Sequence, residues 1–204
     1  SVACIHTSNK TSMSKLRSAM YNFDETDIRK VISSLFTPDA IIHMPWPLGD
    51  MTGPDELYDT CYKPLLRSVP DLERRDWIVV GGLTKAGDEW VGCGGHYTGT
   101  FTAPWLDIPP TGHLVHMRFH EFYKFLEGKI VEVQAIWDVP EVMMQANSWP
   151  MAPSLGREYH IPGPATLDGI VTGPWNKRKS DRSCSLVIEM LEYMKLHPST
   201  GGPE

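Results

Sequence analysis

Apolar and polar positions alternate with a helical period in the first third of the chain. Asp24 can cap a helix whose apolar positions are Ile28, Val31, Ile32, Leu35 and Phe36. A second helix is predicted from Gly53, with Pro54 in its first turn, and Pro64 is expected to kink or end it. The preceding residues, 1–20, are largely polar, and the pattern predicts a flexible N-terminus there.

From Leu72 onward the apolar positions follow the period of two that is typical of strands. The predicted strands are 40–44, 76–82, 89–101, 113–126 and 129–139, and a short helix follows from Pro140 to Gln145. Glu127-Gly128 is expected to form a two-residue hairpin turn. Because most strands follow the helices instead of alternating with them, the order favours an α+β fold with a bent antiparallel sheet that encloses a pocket.

The pattern divides the chain into three parts. Residues 21–147 are predicted to form one domain, and residues 148–204 a Pro/Gly-rich arm ending in a helix over 183–196. Two interpretations of the arm stay open, a docking arm and a linker to a second domain.

Composition excludes several classes of protein. The net charge of −6 disfavours nucleic acid and anionic membranes as partners, and no apolar run approaches the ~20 residues that span a bilayer. The four cysteines lack the spacing of a zinc ribbon or a disulfide framework, so free thiols in the cytoplasm are expected.

Several short motifs occur in an order that resembles a known family. They are Phe36-Thr37-Pro38-Asp39-Ala40, Gly53-Pro54-Asp55-Glu56-Leu57, the run from Gly95 to Phe101, Pro110-Thr111-Gly112, Glu127-Gly128-Lys129-Ile130-Val131-Glu132, Trp137-Asp138 and Met144-Gln145. Over about residues 24–147, the set resembles the SnoaL-like polyketide cyclases of the nuclear-transport-factor-2-like superfamily. His113 departs from the pattern, since the family usually has Arg there.

The resemblance implies a cone-shaped curved sheet with N-terminal helices packed on it, a cystatin-like α+β barrel. It implies a polyketide or ester cyclase that catalyses intramolecular aldol condensation of a small hydrophobic carbonyl-containing molecule, without metal or other cofactor. Asp138, at the end of the last strand, is the implied general acid/base. A homodimer through the outer sheet face is also implied, with His116, Arg118 and Trp137 on that surface.

An ideal hairpin at Glu127-Gly128 allows the residues on each face to be predicted. Pairing Leu126 with Lys129 places Asp138 opposite Met117 and on an apolar face, where desolvation makes a carboxylate a stronger base. The substrate-binding residues predicted with it are Trp46, Met117, Phe119, Glu121, Gln134 and Ile136. Asp138 could instead cap the helix that begins at Pro140.

The histidines suggest further roles. His43 and His96 are candidates to orient a substrate carbonyl or stabilise an oxyanion, although each could equally be structural. His116 and His120 lie ~13 Å apart on a strand, too far to share one metal ion.

Two rival functions stay open. Epoxide hydrolysis or isomerisation in the same fold needs a clustered Asp-Arg-Asp set, which Arg118 and Asp138 match only in part. A non-catalytic small-molecule-binding or dimerisation module is the third possibility.

Overall fold

The computed structural model describes residues 2–153, 160–170, 173 and 175–196. The helices are α1 (Val2–Tyr21), α2 (Glu25–Leu35), α3 (Gly53–Leu57), α4 (Lys63–Ser68), α5 (Val139–Gln145) and α6 (Lys177–Met194). The strands are β1 (Phe36–His43), β2 (Asp50–Thr52), β3 (Glu73–Leu83), β4 (Glu89–Thr100), β5 (Leu114–Leu126) and β6 (Lys129–Trp137). A π-helical turn, Tyr58–Tyr62, joins α3 to α4, and a 3-10 turn covers Asp168–Ile170.

In the described residues the strands form one curved sheet in the order β2-β1-β6-β5-β4-β3. The expected antiparallel meander is present from β3 to β6, and β1 joins it by pairing parallel to β6. Helices α1 to α4 cover one face, the inner face, and the core between them confirms the predicted α+β architecture.

Local signals explain where several elements begin and turn. The Asp24 side chain accepts the amide of Asp27 at 3.0 Å and so caps α2 as predicted. Glu127 and Gly128 have φ values of 51° and 76°, which the predicted two-residue turn requires. Pro64 lies in the first turn of α4, directly after the π-helical turn, so the helix changes geometry there instead of stopping.

The N-terminal segment corrects the expectation of a flexible stretch over residues 1–20. It forms α1, which packs across β3 and buries the side chains of Met13, Leu16 and Met20. The three apolar positions are spaced i, i+3 and i+7, a helical stripe that the polar composition around it obscures.

A bulge in β6 corrects the predicted hairpin register. Leu126 pairs with Lys129 as expected, but the register shifts between Phe125 and Lys124, so Trp137 pairs with Phe119. An extra residue in one strand exchanges the faces of every residue beyond it. Trp137 therefore points inward at 2% exposure and Ile136 outward at 63%, the reverse of the prediction.

A second bulge lies in β3, between Asp76 and Ile78. Arg74 and Asp76 point inward before it, and Val79 points inward after it. The bulge lies opposite Gly94 and Gly95 of β4. Glycine is required at 95, since a Cβ there would lie 2.1 Å from the carbonyl oxygen of Arg75.

Candidate active site

Two charged residues on the inner face of β3 meet a third on β5. Arg74 and Asp76 are two residues apart on one strand and therefore share a face. The Arg74 guanidinium donates to Asp76 Oδ1 at 2.7 Å and to Glu121 Oε2 at 2.5 Å. All three residues are at most 6% exposed, so this carboxylate–guanidinium–carboxylate group is part of the domain interior.

Glu121 is surrounded by hydrogen-bond donors. Besides Arg74, its carboxylate accepts the Tyr97 hydroxyl at 2.9 Å, the Tyr123 hydroxyl at 2.5 Å and the Trp137 indole N–H at 2.8 Å. Burial would raise the pKa of Glu121, but the Arg74 charge and these bonds hold that pKa below its ordinary value. Glu121 is therefore an ionised anchor for Arg74.

Two opposing effects act on the pKa of the Arg74 guanidinium. Burial would lower its pKa, but the two carboxylates raise that pKa well above its ordinary value. Its guanidinium also lies over the Phe119 ring, 4.2 Å from the ring centroid. With one guanidinium between two carboxylates, the group carries a net charge of −1.

A groove of about 330 Å³ opens beside Arg74 and Asp76. Its other walls are Arg17, Ser18 and Tyr21 of α1, Arg75 of β3, and Leu167 and Ile170 of the arm. This volume is at the lower end of the range of small-molecule sites. A buried carboxylate at the edge of such a groove can accept a proton from a bound molecule.

Asp138 occupies a different place from the one predicted. Its carboxylate accepts the backbone N–H of Glu141 at 3.1 Å and caps α5, and its own N–H donates to the carbonyl of Arg118 at 2.9 Å. The bulge in β6 thus separates Asp138 from Met117 and Phe119, which are core residues. Asp138 thus has the geometry of a helix cap, the alternative role that the sequence allowed.

The remaining candidates do not converge on one site. On the outer face of the sheet, Gln134 and Ile136 are exposed, while His43 binds Asp50 at 2.8 Å from an exposed position. Trp46 is 88% exposed. Glu121, which pairs with Ala135 of β6, is the one predicted substrate-binding residue that belongs to the Arg74 group.

His96 lies on the outer side of β4 in a cluster of aromatic rings. Its ring centroid is 4.3 Å from that of Trp77, 4.8 Å from that of His160 and 5.8 Å from that of His116. Burial, together with His160, lowers the pKa of His96 to about 4, so the ring is neutral at pH 7. Next to it, Glu141 accepts the backbone N–H of Arg118 at 2.8 Å.

Sequence reasoning missed Arg74 and Asp76. An Arg-x-Asp pair on a strand was the available signal, because alternate residues share a face. Among the described residues, no three His, Cys, Asp or Glu side chains are arranged to hold a metal ion. Nor does any described helix have the length and apolar character needed to cross a membrane.

Known proteins agree with this architecture. A candidate SnoaL-like polyketide cyclase from Jannaschia sp. CCS1 is 23% identical, with a TM-score of 0.59 over 72% of this chain and 96% of that one. The hydroxylase candidate AclR from Streptomyces galilaeus is 18% identical (TM-score 0.59, 74% and 91% covered). The polyketide cyclase candidate IdmH from Streptomyces antibioticus is 20% identical (TM-score 0.55, 68% and 97% covered).

The structural superpositions show a shared fold. No curated protein matches the sequence. The sequence model of one family does match, over residues 14–146, from within α1 to the end of α5. The match includes the inner face of the sheet with Arg74, Asp76 and Glu121. Since it spans more than half of the 204 residues, the chain belongs to the SnoaL-like polyketide cyclase family.

Proposed function

We propose that the protein catalyses cofactor-free intramolecular aldol cyclisation of a small hydrophobic polyketide-type ester. The family and the groove beside a buried carboxylate support this proposal. In the reaction a base removes a proton from carbon activated by neighbouring carbonyl groups. The enolate carbon then bonds to a second carbonyl carbon of the same molecule, and the resulting alkoxide takes the proton back from the conjugate acid of the base.

The observation that carries the proposal is the position of Asp76 beside the groove, held by Arg74. Asp76 would remove and return the proton, and Arg74 would fix the direction of its carboxylate through two N–H donors at 2.7 and 3.4 Å. Glu121 would act indirectly, by holding Arg74 in position. Orientation of the folded substrate in the groove would supply much of the acceleration.

Asp138 is the rival base, and one substitution at each residue distinguishes the two candidates. Asp76→Asn removes the base with little change in volume, and we expect turnover to fall about 10²- to 10⁴-fold. Asp138→Asn should leave turnover nearly unchanged, because asparagine caps a helix about as well as aspartate. Chromatography of linear poly-β-keto esters would follow the change in retention as an isomer of equal mass forms. Loss of activity in Asp138→Asn alone would move the base to Asp138.

Epoxide hydrolysis is the second candidate, and the Asp76–Arg74–Glu121 group favours it because it supplies two carboxylates around one guanidinium. Hydrolysis also needs a protonated acid to donate to the epoxide oxygen. Glu121 is held ionised by four donors, so it is a poor donor. We therefore place cyclisation first; incorporation of ¹⁸O from labelled water into an epoxide-derived diol would reverse that order.

A binding module without catalysis would use the same groove differently. Such a protein would retain a ligand in Asp76→Asn and convert none of the substrates in the wild type. The two outcomes separate a pocket protein from an enzyme, since fold alone does not decide between them.

We further propose a homodimer through the outer face of the sheet. Trp137 is buried and does not belong to this surface. The surface instead presents four large apolar side chains, Ile78, Val80, Phe122 and Ile136, that are 45–63% exposed. Sedimentation equilibrium at micromolar concentration should give twice the mass of one chain, and Phe122→Lys should reduce it to one. A wild-type monomer would refute the proposal.

We place the protein in the cytoplasm, without a membrane or nucleic-acid partner. The thiols of Cys61 and Cys93 are buried and free, and burial raises the pKa of each to about 12, so neither is reactive. The net charge of −6 disfavours polyanionic partners.

A further inference from the structure

The groove beside Asp76 is completed by residues that lie outside the family domain. We name residues 160–170 the strap. Leu167 and Ile170 of the strap line the groove together with Arg74, Arg75 and Asp76. The family model ends at residue 146, so these two apolar walls are an addition to the shared domain.

The strap is fitted closely to β3. A Cβ at Gly169 would lie 2.2 Å from the carbonyl oxygen of Trp77, and a Cβ at Gly163 would lie 2.5 Å from the Trp77 ring. Both contacts are with Trp77, the residue that the bulge leaves without a pairing partner in β4. Glycines that allow such an approach indicate a seated segment rather than a chain passing over the surface.

The strap is also held at its start. The His160 ring lies 4.8 Å from the ring of His96 and 5.1 Å from that of His116, measured between centroids. These rings belong to the outer face of the sheet, while Ile170 packs against the core. The strap therefore passes around the β3 edge from the outer face to the groove.

Leu167 has a backbone conformation that needs support. Its φ is 49°, which leucine rarely adopts. Its N–H donates to the carbonyl of Pro164 at 3.0 Å, and the N–H of Ile170 donates to the carbonyl of Leu167 at 3.1 Å. The two bonded turns place Leu167 and Ile170 at the groove, and such outliers are characteristic of functional segments.

We infer that the strap is part of the substrate site and that Leu167 and Ile170 select the apolar end of the substrate. This inference rests on the proposed function for the identity of the polar end, where the carbonyl group meets Asp76. The groove then combines charged side chains with the apolar side chains of Leu167 and Ile170, which suits a molecule with a hydrophobic body and a carbonyl group. Substrates with a larger apolar body are limited by Leu167 and Ile170.

The experiment uses 2-acetylnaphthalene, a hydrophobic ketone, as the probe, with its binding followed by methyl NMR of the full chain. The Ile170 methyl signals should shift on saturation. Leu167 is 48% exposed, and Leu167→Asn should weaken binding about tenfold, the loss expected when the probe no longer covers part of a leucine side chain. Asparagine tolerates a positive φ, so this variant removes the apolar group while retaining the turn. Leu186→Asn, at a 65% exposed position on α6, makes the same change away from the groove and should leave binding unchanged.

A second pair of variants tests the seating of the strap itself. Gly169→Ala should accelerate hydrogen exchange at residues 160–170, since its Cβ cannot coexist with the Trp77 carbonyl. Gly82→Ala on β3, where a Cβ meets nothing within 4 Å, should not. Unchanged exchange in Gly169→Ala, or unchanged probe affinity in Leu167→Asn, would overturn the inference. The Asp76→Asn test of the proposed function is independent of these tests of the strap, because it measures turnover and not binding of the ketone.

Discussion

Replacement of Arg74 by methionine should destabilise the domain by about 3–5 kcal/mol, because it leaves two buried carboxylates without their shared cation. Asp76 and Glu121 both depend on this guanidinium, and their side chains are each 2% exposed. Urea unfolding followed by circular dichroism would measure the change.

Arg75→Met is the matched control for this prediction. Arg75 is the next residue on the same strand but faces outward, and its ion pair with Glu73 is substantially exposed. Exposed pairs contribute about 0–1 kcal/mol. Equal losses in the two variants would show that the Arg74 group contributes no more than a surface pair.

The effect of Arg74→Met should depend on pH. In the wild type the pKa of Glu121 is lowered below the unfolded value, so its stabilising contribution is complete above about pH 4.3 and is lost as the pH falls through the folded pKa. Without Arg74, burial favours the protonated carboxyl. The difference in unfolding free energy between wild type and variant should therefore shrink as the pH is lowered, first above about pH 4.3 as Glu121 of the folded variant takes up a proton, and then below about pH 4.3 as the wild type loses its contribution. A difference that stays constant from pH 7 to pH 3 would mean that Glu121 does not depend on Arg74.

Replacement of Gly95 by alanine should cost about 3 kcal/mol or more, at the upper end of overpacking effects. The new Cβ would lie 2.1 Å from the carbonyl oxygen of Arg75 and 2.9 Å from Cα of Asp76, and both are backbone atoms that cannot rotate away. Strands β3 and β4 would have to separate where Asp76 is held. We therefore expect both the unfolding free energy and the turnover to fall, by urea titration and by the cyclisation assay.

Gly82→Ala provides the comparison, because it adds the same methyl group to the same sheet with open space around it. Its unfolding free energy should stay within about 0.5 kcal/mol of the wild type. If Gly95→Ala were equally mild, the close approach of β3 and β4 at the bulge would have no energetic importance.

The sequence predicted the elements whose signals are local. Asp24 caps α2, and Glu127-Gly128 forms the expected turn, because each depends on a few neighbouring residues. The four-stranded meander followed from the period of two. Each of these features has its signal in the neighbouring residues or in the period of the segment itself.

Two bulges change which residues face the core. An extra residue in β6 exchanged the faces of Ile136 and Trp137, and one in β3 brought Arg74 and Asp76 inward while Val79 also faces the core. Bulges are stabilised by contacts with the adjoining strand, so the bulged strand's own sequence shows little of them. The bulge in β6 led to Asp138 being assigned to a face that it does not occupy. The candidate base on β3 was overlooked because the predicted strand began at Asp76 and left Arg74 outside it, whereas β3 begins at Glu73.

The contacts of the strap with β3 could not be predicted from the sequence either. The Pro/Gly-rich composition of residues 148–180 indicated an extended arm, but composition does not say what an arm covers. Gly163 and Gly169 acquire their importance only once Trp77 lies beneath them. Long-range contacts of this kind leave no periodic signal in a single sequence.

The bulge at Trp77 has a consequence for transplanting the site into another protein. It adds one residue to β3. Side chains therefore alternate between the two faces of the sheet in opposite phase before and after the bulge. A designer who grafts Arg74 and Asp76 onto a regular strand, matched to β3 through Val79, would aim both side chains at solvent. The transferable unit is the pair of residues together with the inserted one and the glycine opposite.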